Sequence, residues 1–190
     1  MRETLRLSLI LALIAALCGA LLVALASKTA PARAATGARK RLAAVQSVLA
    51  TAGGDTLRFE AAGDAEAADA DAFVAFAPDG AFAGAAIVGA SAHGYGGEVR
   101  LMVGFGADGR LLDFAVVEGH ETPGLGAKIA RDDFRAGFRG RPFDGVWKVR
   151  KDGGEIDAVT SATISSRAAT EAVADAASRF AALRDAAAGK

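Results

Sequence analysis

The stretch GEVRLMVGFGADGRLLDFAVVE, residues 97–118, decides the fold. Val99, Leu101, Val103 and Phe105 alternate along its first arm, and Leu112, Phe114 and Val116 alternate along its second. Side chains on a strand point to opposite sides in turn, so this period of two buries one face of each arm against a core. Asp108-Gly109 between the arms supplies the turn of a hairpin. Shorter candidate strands lie at 56–60, 73–76, 82–88 and 146–149, and together these segments predict a mainly antiparallel sheet.

Downstream, Ala169, Ala172, Val173, Ala176, Phe180 and Leu183 recur at the helical period, which predicts one long amphipathic helix over about 165–187 packed on the sheet. Upstream, Leu42, Val45, Val48 and Leu49 predict a second helix over 37–52, ending at Gly53-Gly54. Residues 61–72 are small and acidic without an apolar period, and read as a solvated loop. No internal repeat and no parallel βαβ series is visible, which argues against a Rossmann-type domain. The expected class is α+β, with a single globular domain as the working assumption.

Residues 7–26 contain no charge over 20 positions. At about 1.5 Å per helical residue they reach about 30 Å, the thickness of a hydrocarbon core. A cleaved signal peptide with Ala32-Arg-Ala34 as its processing site is the alternative. Its apolar region is usually about 7–15 residues, so the length favours a retained anchor. The expected organisation is an anchor at 1–28, a juxtamembrane linker and helix at 29–54, and a domain at 55–190. Arg2 and Arg6 precede the span, while Lys28, Arg33, Arg39, Lys40 and Arg41 follow it. Charge asymmetry alone therefore places the domain in the cytoplasm.

The remaining composition excludes more than it suggests. Lys and Arg total 22 against 22 Asp and Glu, so no basic excess points to nucleic acid. Cys18 is the single cysteine, which rules out an internal disulfide and any cysteine-based zinc, iron–sulfur or c-type haem site. With His93 and His120 as the only imidazoles, no metal site is expected.

One cluster stands apart. DAVTSATISS, residues 157–166, places the hydroxyls of Thr160, Ser161, Thr163, Ser165 and Ser166 just before the long C-terminal helix. Helix starts favour Ser and Thr, whose oxygens accept from N–H groups that lack intrahelical partners. A cap needs one hydroxyl, and the surplus suggests an anion at the helix N-terminus, where N–H groups and dipole favour negative charge. Two glycine-rich segments accompany it. GHETPGLGAK, residues 119–128, follows the hairpin, and SAHGYGG, residues 91–97, sets Tyr95 among glycines that let backbone approach a flat ligand closely. An ordinary turn accounts for either one as well.

Asp157-x-x-Thr160-Ser161-Ala162-Thr163, Glu121-Thr-Pro-Gly-Leu-Gly126 and Gly94-Tyr-Gly-Gly97 together make the chain resemble the covalent-FMN family of the Rnf electron-transport complex, its G subunit. That resemblance implies FMN esterified through its phosphate to Thr163. The phosphodiester charge would be met by N–H groups and the hydroxyls of Ser161, Ser165 and Ser166. Glu121, Thr122, Leu125 and Gly126 would line the flavin, Lys128 would stabilise its reduced anionic form, and His120 would be a structural hydrogen bonder. Asp157 would belong to the sequence read by a flavin transferase that moves FMN from FAD.

The family usually has glycine where this chain has Ser161, which implies a backbone there that does not depend on a glycine-only conformation. By the same resemblance the chain relays electrons between ferredoxin and NAD⁺ beside membrane, iron–sulfur and flavin subunits of an ion-translocating complex. Its flavin domain would lie on the periplasmic face of the inner membrane. The related covalent-FMN module of a Na⁺-translocating NADH:quinone reductase and a membrane-anchored scaffold that has lost the flavin are the alternatives.

Overall fold

The computed structural model describes all residues except Met1, 54–55, 63–69, His120, 122–123, Leu125 and 189–190. The chain divides into two compact units, Met1–Ala38 and Arg39–Lys190. The first is helical and includes Arg6–Ala30, 25 residues that are apolar and long enough to cross a membrane. One helix, α1 (Arg2–Val48), contains this span and most of the shorter helix expected at 37–52, whose last residues, Ala50–Ala52, form a separate 3₁₀ turn; neither Pro31 nor Gly37 interrupts α1.

The second unit is built on a five-stranded sheet: β1 (Arg58–Ala61), β2 (Ala72–Phe76), β3 (Phe82–Gly94), β4 (Gly97–Gly106) and β5 (Leu111–Glu118). Each strand pairs antiparallel with the next in chain order, giving an up-and-down meander. The hairpin read from residues 97–118 is β4 and β5. Their turn closes with Gly109 N–H donating to the Gly106 carbonyl, and Gly109 takes a left-handed φ of +76°. The glycine-rich segment before it is a second hairpin turn, with Gly94 opposite Gly97 and Tyr95 at its tip.

The sheet is covered on both faces. Ala85, Ile87, Leu101, Val103, Phe105 and Phe114 meet the C-terminal helix α3 (Thr163–Ala188) through Ala168, Ala169, Ala172, Val173, Ala176 and Phe180. Phe73, Ala75, Ala86, Val88 and Met102 on the opposite face meet Ala44, Val45, Val48 and Leu49 at the end of α1. Alternation along β3 and β4 serves two cores at once. Both faces are therefore apolar, and the period of two marks which core each residue joins.

Two sequence expectations need correction. Residues 146–149 form no strand; Val149 makes only an isolated bridge to Ile156, and Val146 is exposed. Gly154 packs so tightly on Lys148 that the chain doubles back locally there, and the Trp147 indole N–H donates to the Phe143 carbonyl. The loop at 61–72 lies largely outside the described residues. Where it is described it is not simply solvated, since Ala70 is fully buried and Asp71 pairs with Arg100 at 2.8 Å. The short helix α2 (Asp132–Ala136) follows a 3₁₀ turn at Gly126–Ala130 and completes the first core with Phe134.

Candidate functional site: the start of the C-terminal helix

The five hydroxyls of residues 157–166 are sorted by the direction in which the chain turns into α3. Ser166 is fully buried and has both its capacities used, accepting from the Val159 N–H at 3.0 Å and donating to the Ala162 carbonyl at 2.9 Å. It pins the incoming loop to the helix, so the role of meeting a phosphate does not fall to it. Ser165, also buried, donates to the Glu121 carboxylate at 2.5 Å. Thr160 and Ser161 are exposed, and Thr163, the first residue of α3, is half-buried.

None of these hydroxyls caps the helix. Ala162 stands at the N-cap position, and alanine is among the poorest residues there. Its carbonyl accepts the first intrahelical bond, from the Ser166 N–H at 2.9 Å. The N–H groups of Thr163, Ile164 and Ser165 find no acceptor among the described residues. Such groups carry the partial positive charge of the helix terminus and suit an anion.

The turn into the helix is strained at one residue. Ser161 has φ +64°, the one left-handed non-glycine residue among those described. The left-handed region is sparsely populated by residues with a Cβ but is not restricted to glycine, so serine adopts it here at some cost. A Cβ in that region costs about 1–2 kcal/mol, while glycine returns about 0.5–1 kcal/mol through its greater unfolded-state freedom. Ser161→Gly is therefore expected to stabilise the chain by up to about 1 kcal/mol, and Ser161→Val to destabilise it, as read from chemical-denaturation midpoints. Equal midpoints for all three would show that the turn is not left-handed in solution.

Glu121 ties this turn to the β3–β4 hairpin. Its carboxylate accepts from Ser165 and, more weakly at 3.5 Å, from the Gly96 N–H beside Tyr95. Room for it is left by Gly126, where an added Cβ would collide with Glu121 Oε2 and Ser165 Oγ. One glycine of the segment at 119–128 is thus explained by close approach. Thr122 and Leu125 lie outside the described residues. A second tie, not anticipated from the sequence, lies farther along α3. Glu171 accepts from the Ser91 hydroxyl at 2.7 Å and sits 2.8 Å from His93 Nδ1. These two partners hold its carboxyl below the usual carboxylate range.

Two clefts meet at Thr163. One, of about 320 Å³, is mainly apolar and is lined by Tyr95, Gly126, Ser161, Ala162, Ile164 and Ser165 as well as Thr163. Tyr95 is 70% and Ile164 48% exposed, so the cleft presents large apolar groups to solvent. The other, of about 350 Å³, shares Ser161 and Thr163 but is otherwise lined by Arg150, Lys151 and the segment from Asp157 to Thr160. Lys128 reaches neither; with Arg131 it lines a third cleft that shares Asp157 to Thr160. The sequence reading missed Ile164, Arg150 and Lys151. The basic dipeptide at 150–151 was the available signal, but only the fold brings it to Thr163.

Residues 94–178 match the model of the FMN-binding domain family. Among proteins of known role, the chain is 41% identical over 92 residues to the G subunit of the proton-translocating ferredoxin:NAD(+) oxidoreductase complex of Clostridium ljungdahlii, covering 47% of this chain and 50% of that one. It is 46% identical over 96 residues to the G subunit of the ion-translocating oxidoreductase complex of Salmonella typhi, covering 47% of each. The crystal structure of Shewanella oneidensis NqrC aligns with a TM-score of 0.47 at 20% identity over 60% of each chain. The chain spans about half the length of the curated relatives it matches. The region that matches the FMN-binding domain family begins at the turn that carries Tyr95 and ends within α3, so the match contains every residue that lines the two clefts at Thr163.

Proposed function

We propose that the chain is the electron-carrying subunit of a membrane-bound, ion-translocating ferredoxin:NAD oxidoreductase of the Rnf type, and that it holds FMN esterified through its phosphate to Thr163 Oγ. The observation that carries the reading is the uncapped start of α3. Thr163 stands there among three N–H groups that have no acceptor among the described residues, with an apolar cleft on one side and a basic one on the other. The residues present fit the group. A flat apolar ring has the cleft beneath Tyr95 and Ile164, and the cleft wall at Gly126 has no side chain.

When bound, FMN supplies one- and two-electron chemistry, and the protein's part is to fix and tune it. Thr163 is the tether. Its own N–H and those of Ile164 and Ser165 offset the negative charge of the phosphodiester. Tyr95 and Ile164 keep water from the ring. Glu121, held by Ser165 and Gly96, fixes the distance between the Tyr95 turn and the helix start. Thr160 to Ala162, with Asp157, form the sequence offered to a flavin transferase.

Arg6–Ala30 serves as a single-pass anchor in the inner membrane, overlapping the expected anchor at 1–28 and running two residues past it, and 55–190 is the flavin domain. Residues 39–49, from the segment between them, add α1's end to its second core. We place the domain on the periplasmic side, against the charge asymmetry, because a tether serves best where released FMN is not recaptured. The partners are the membrane, iron–sulfur and flavin subunits of the complex.

The test is maturation of the full chain by co-expression with a flavin transferase. We expect a mass gain of one FMN less water, in-gel flavin fluorescence, and the label on the tryptic peptide 152–167. A chain that stays at its polypeptide mass under conditions that flavinylate a known substrate overturns the reading. A C-terminal reporter active only in the cytoplasm overturns the orientation alone.

A further inference from the structure

We infer that Arg150 and Lys151 form the anion-holding wall of the site, on which the phosphodiester at Thr163 rests while the ring occupies the opposite, apolar cleft. This rests on the attachment proposed above and extends it to residues outside the motif. Thr163 and Ser161 are the residues common to both clefts, so a group attached at Thr163 Oγ is divided between them by chemistry. The apolar side offers Tyr95 and Ile164. The basic side offers two cations and one carboxylate, Asp157, a net charge of one positive unit to set against the single negative unit of a phosphodiester.

Asp157 gives this wall its shape. Its two oxygens take the Arg150 guanidinium at 2.7 and 3.2 Å, a two-pronged pair that fixes the plane of the guanidinium. The pair is exposed, at 64% and 80% of the two side chains, and a pair so exposed adds little to stability. What it does is orient a cation at the rim of the cleft. Arg150 holds the Asp157 carboxyl below the usual carboxylate range, so the orientation persists at neutral pH. Lys151 has no hydrogen-bonded partner among the described residues and is free to turn toward a phosphate oxygen. Neighbouring Asp152 has both oxygens hydrogen-bonded to Arg167, at 2.6 and 2.7 Å, and attracts Lys151 by charge alone, without a hydrogen bond to it.

The experiment compares melting of the bare and the flavinylated full-length chain in wild type, Arg150→Gln, Lys151→Gln and, as a remote control, Arg58→Gln. Groups that act only in the folded, flavinylated state add stability on attachment, so the melting-temperature gain measures the wall directly. We expect bare chains to melt together and Lys151→Gln and Arg150→Gln each to lose a large part of the gain that wild type and Arg58→Gln show. Raising salt from about 0.01 M to about 1 M shortens the screening length from about 30 Å to about 3 Å. That change should shrink the wild-type gain and leave the residual gain of the two cleft variants nearly flat. Equal gains in all four chains, or equal salt dependence, overturn the wall. A cleft variant that melts normally when bare yet accepts no flavin also overturns it, because the cations then serve the transferase before the bond forms. Should wild type itself take up no flavin, the attachment reading fails first and is separately recognised.

Discussion

Thr163→Ala, matured beside a flavin transferase, is expected to emerge colourless, at the mass of the bare polypeptide, and with the melt of the bare wild-type chain. The loss of flavin is total because, on the proposed attachment, one oxygen carries the link. The matching melt follows from how little that oxygen does in the bare chain. The Thr163 hydroxyl makes no hydrogen bond to any described residue, and the side chain is only half-buried. Position 163 opens a helix, where alanine has the higher intrinsic propensity. The change in stability should stay within about 0.5 kcal/mol. The restraints that hold the site are elsewhere, at Ser166 to Val159 and at Ser165 to Glu121.

Thr160 and Ser161 are exposed hydroxyls in the same motif, but they precede the helix and lack its first N–H groups. They are not expected to take over. Intact mass, in-gel fluorescence and circular-dichroism melting check the three parts. Flavin retained on the variant would move the link to another residue, and a large drop in the melt would make Thr163 a structural residue.

The difference between what was legible and what was not lies in whether a signal is local. Alternation in residues 97–118 and the helical period after Ser165 are local, and both elements occur as read, in β4, β5 and α3. The hydroxyl cluster was legible as a polar run leading into a helix, but not the division of labour inside it. Ser165 and Ser166 point inward because of where they fall on the helix, and a run of five similar side chains gives no hint of that before the helix start is known. The same holds for Ser161, whose left-handed backbone is imposed by the turn and not by its own preference. The apolar run at 146–149 resembled a strand because Val146, Trp147 and Val149 favour sheets, while the constraint that overrides it comes from Gly154 against Lys148. Lys128, expected beside the flavin by resemblance, lies in a 3₁₀ turn and lines the neighbouring cleft.

Gly89→Val is expected to cost the domain about 3 kcal/mol or more, a large share of the roughly 5–15 kcal/mol that holds a domain together. Gly89 sits on β3 under α3, and a Cβ placed there would run into the carbonyl oxygen and carbon of Ala172 and the methyl of Ala176. Overpacking is usually absorbed by rotamer changes, but here the obstacle is backbone, flanked by alanines at 168, 169, 172, 176 and 177 that have no rotamer to change. The helix has to lift. Lifting it loosens Phe180, fully buried and 4.8 Å by ring centroid from Phe105, and with it the centre of the first core.

Gly104 plays the matching part on the other face, where an added Cβ would meet Val48 backbone at the end of α1. Ala at 89 should fall between glycine and valine in denaturation midpoint, since it brings the same first atom without the branches. The functional consequence follows from the same geometry. α3 carries Thr163 at its start and Glu171 on its tie to Ser91 and His93, so displacing it separates the tether from the Tyr95 turn. Flavinylation should fall with the midpoint across the glycine, alanine, valine series. A valine variant that melts with wild type would mean that helix and strand are not in backbone contact at Gly89, and the spacing from Thr163 to Tyr95 would then need another cause.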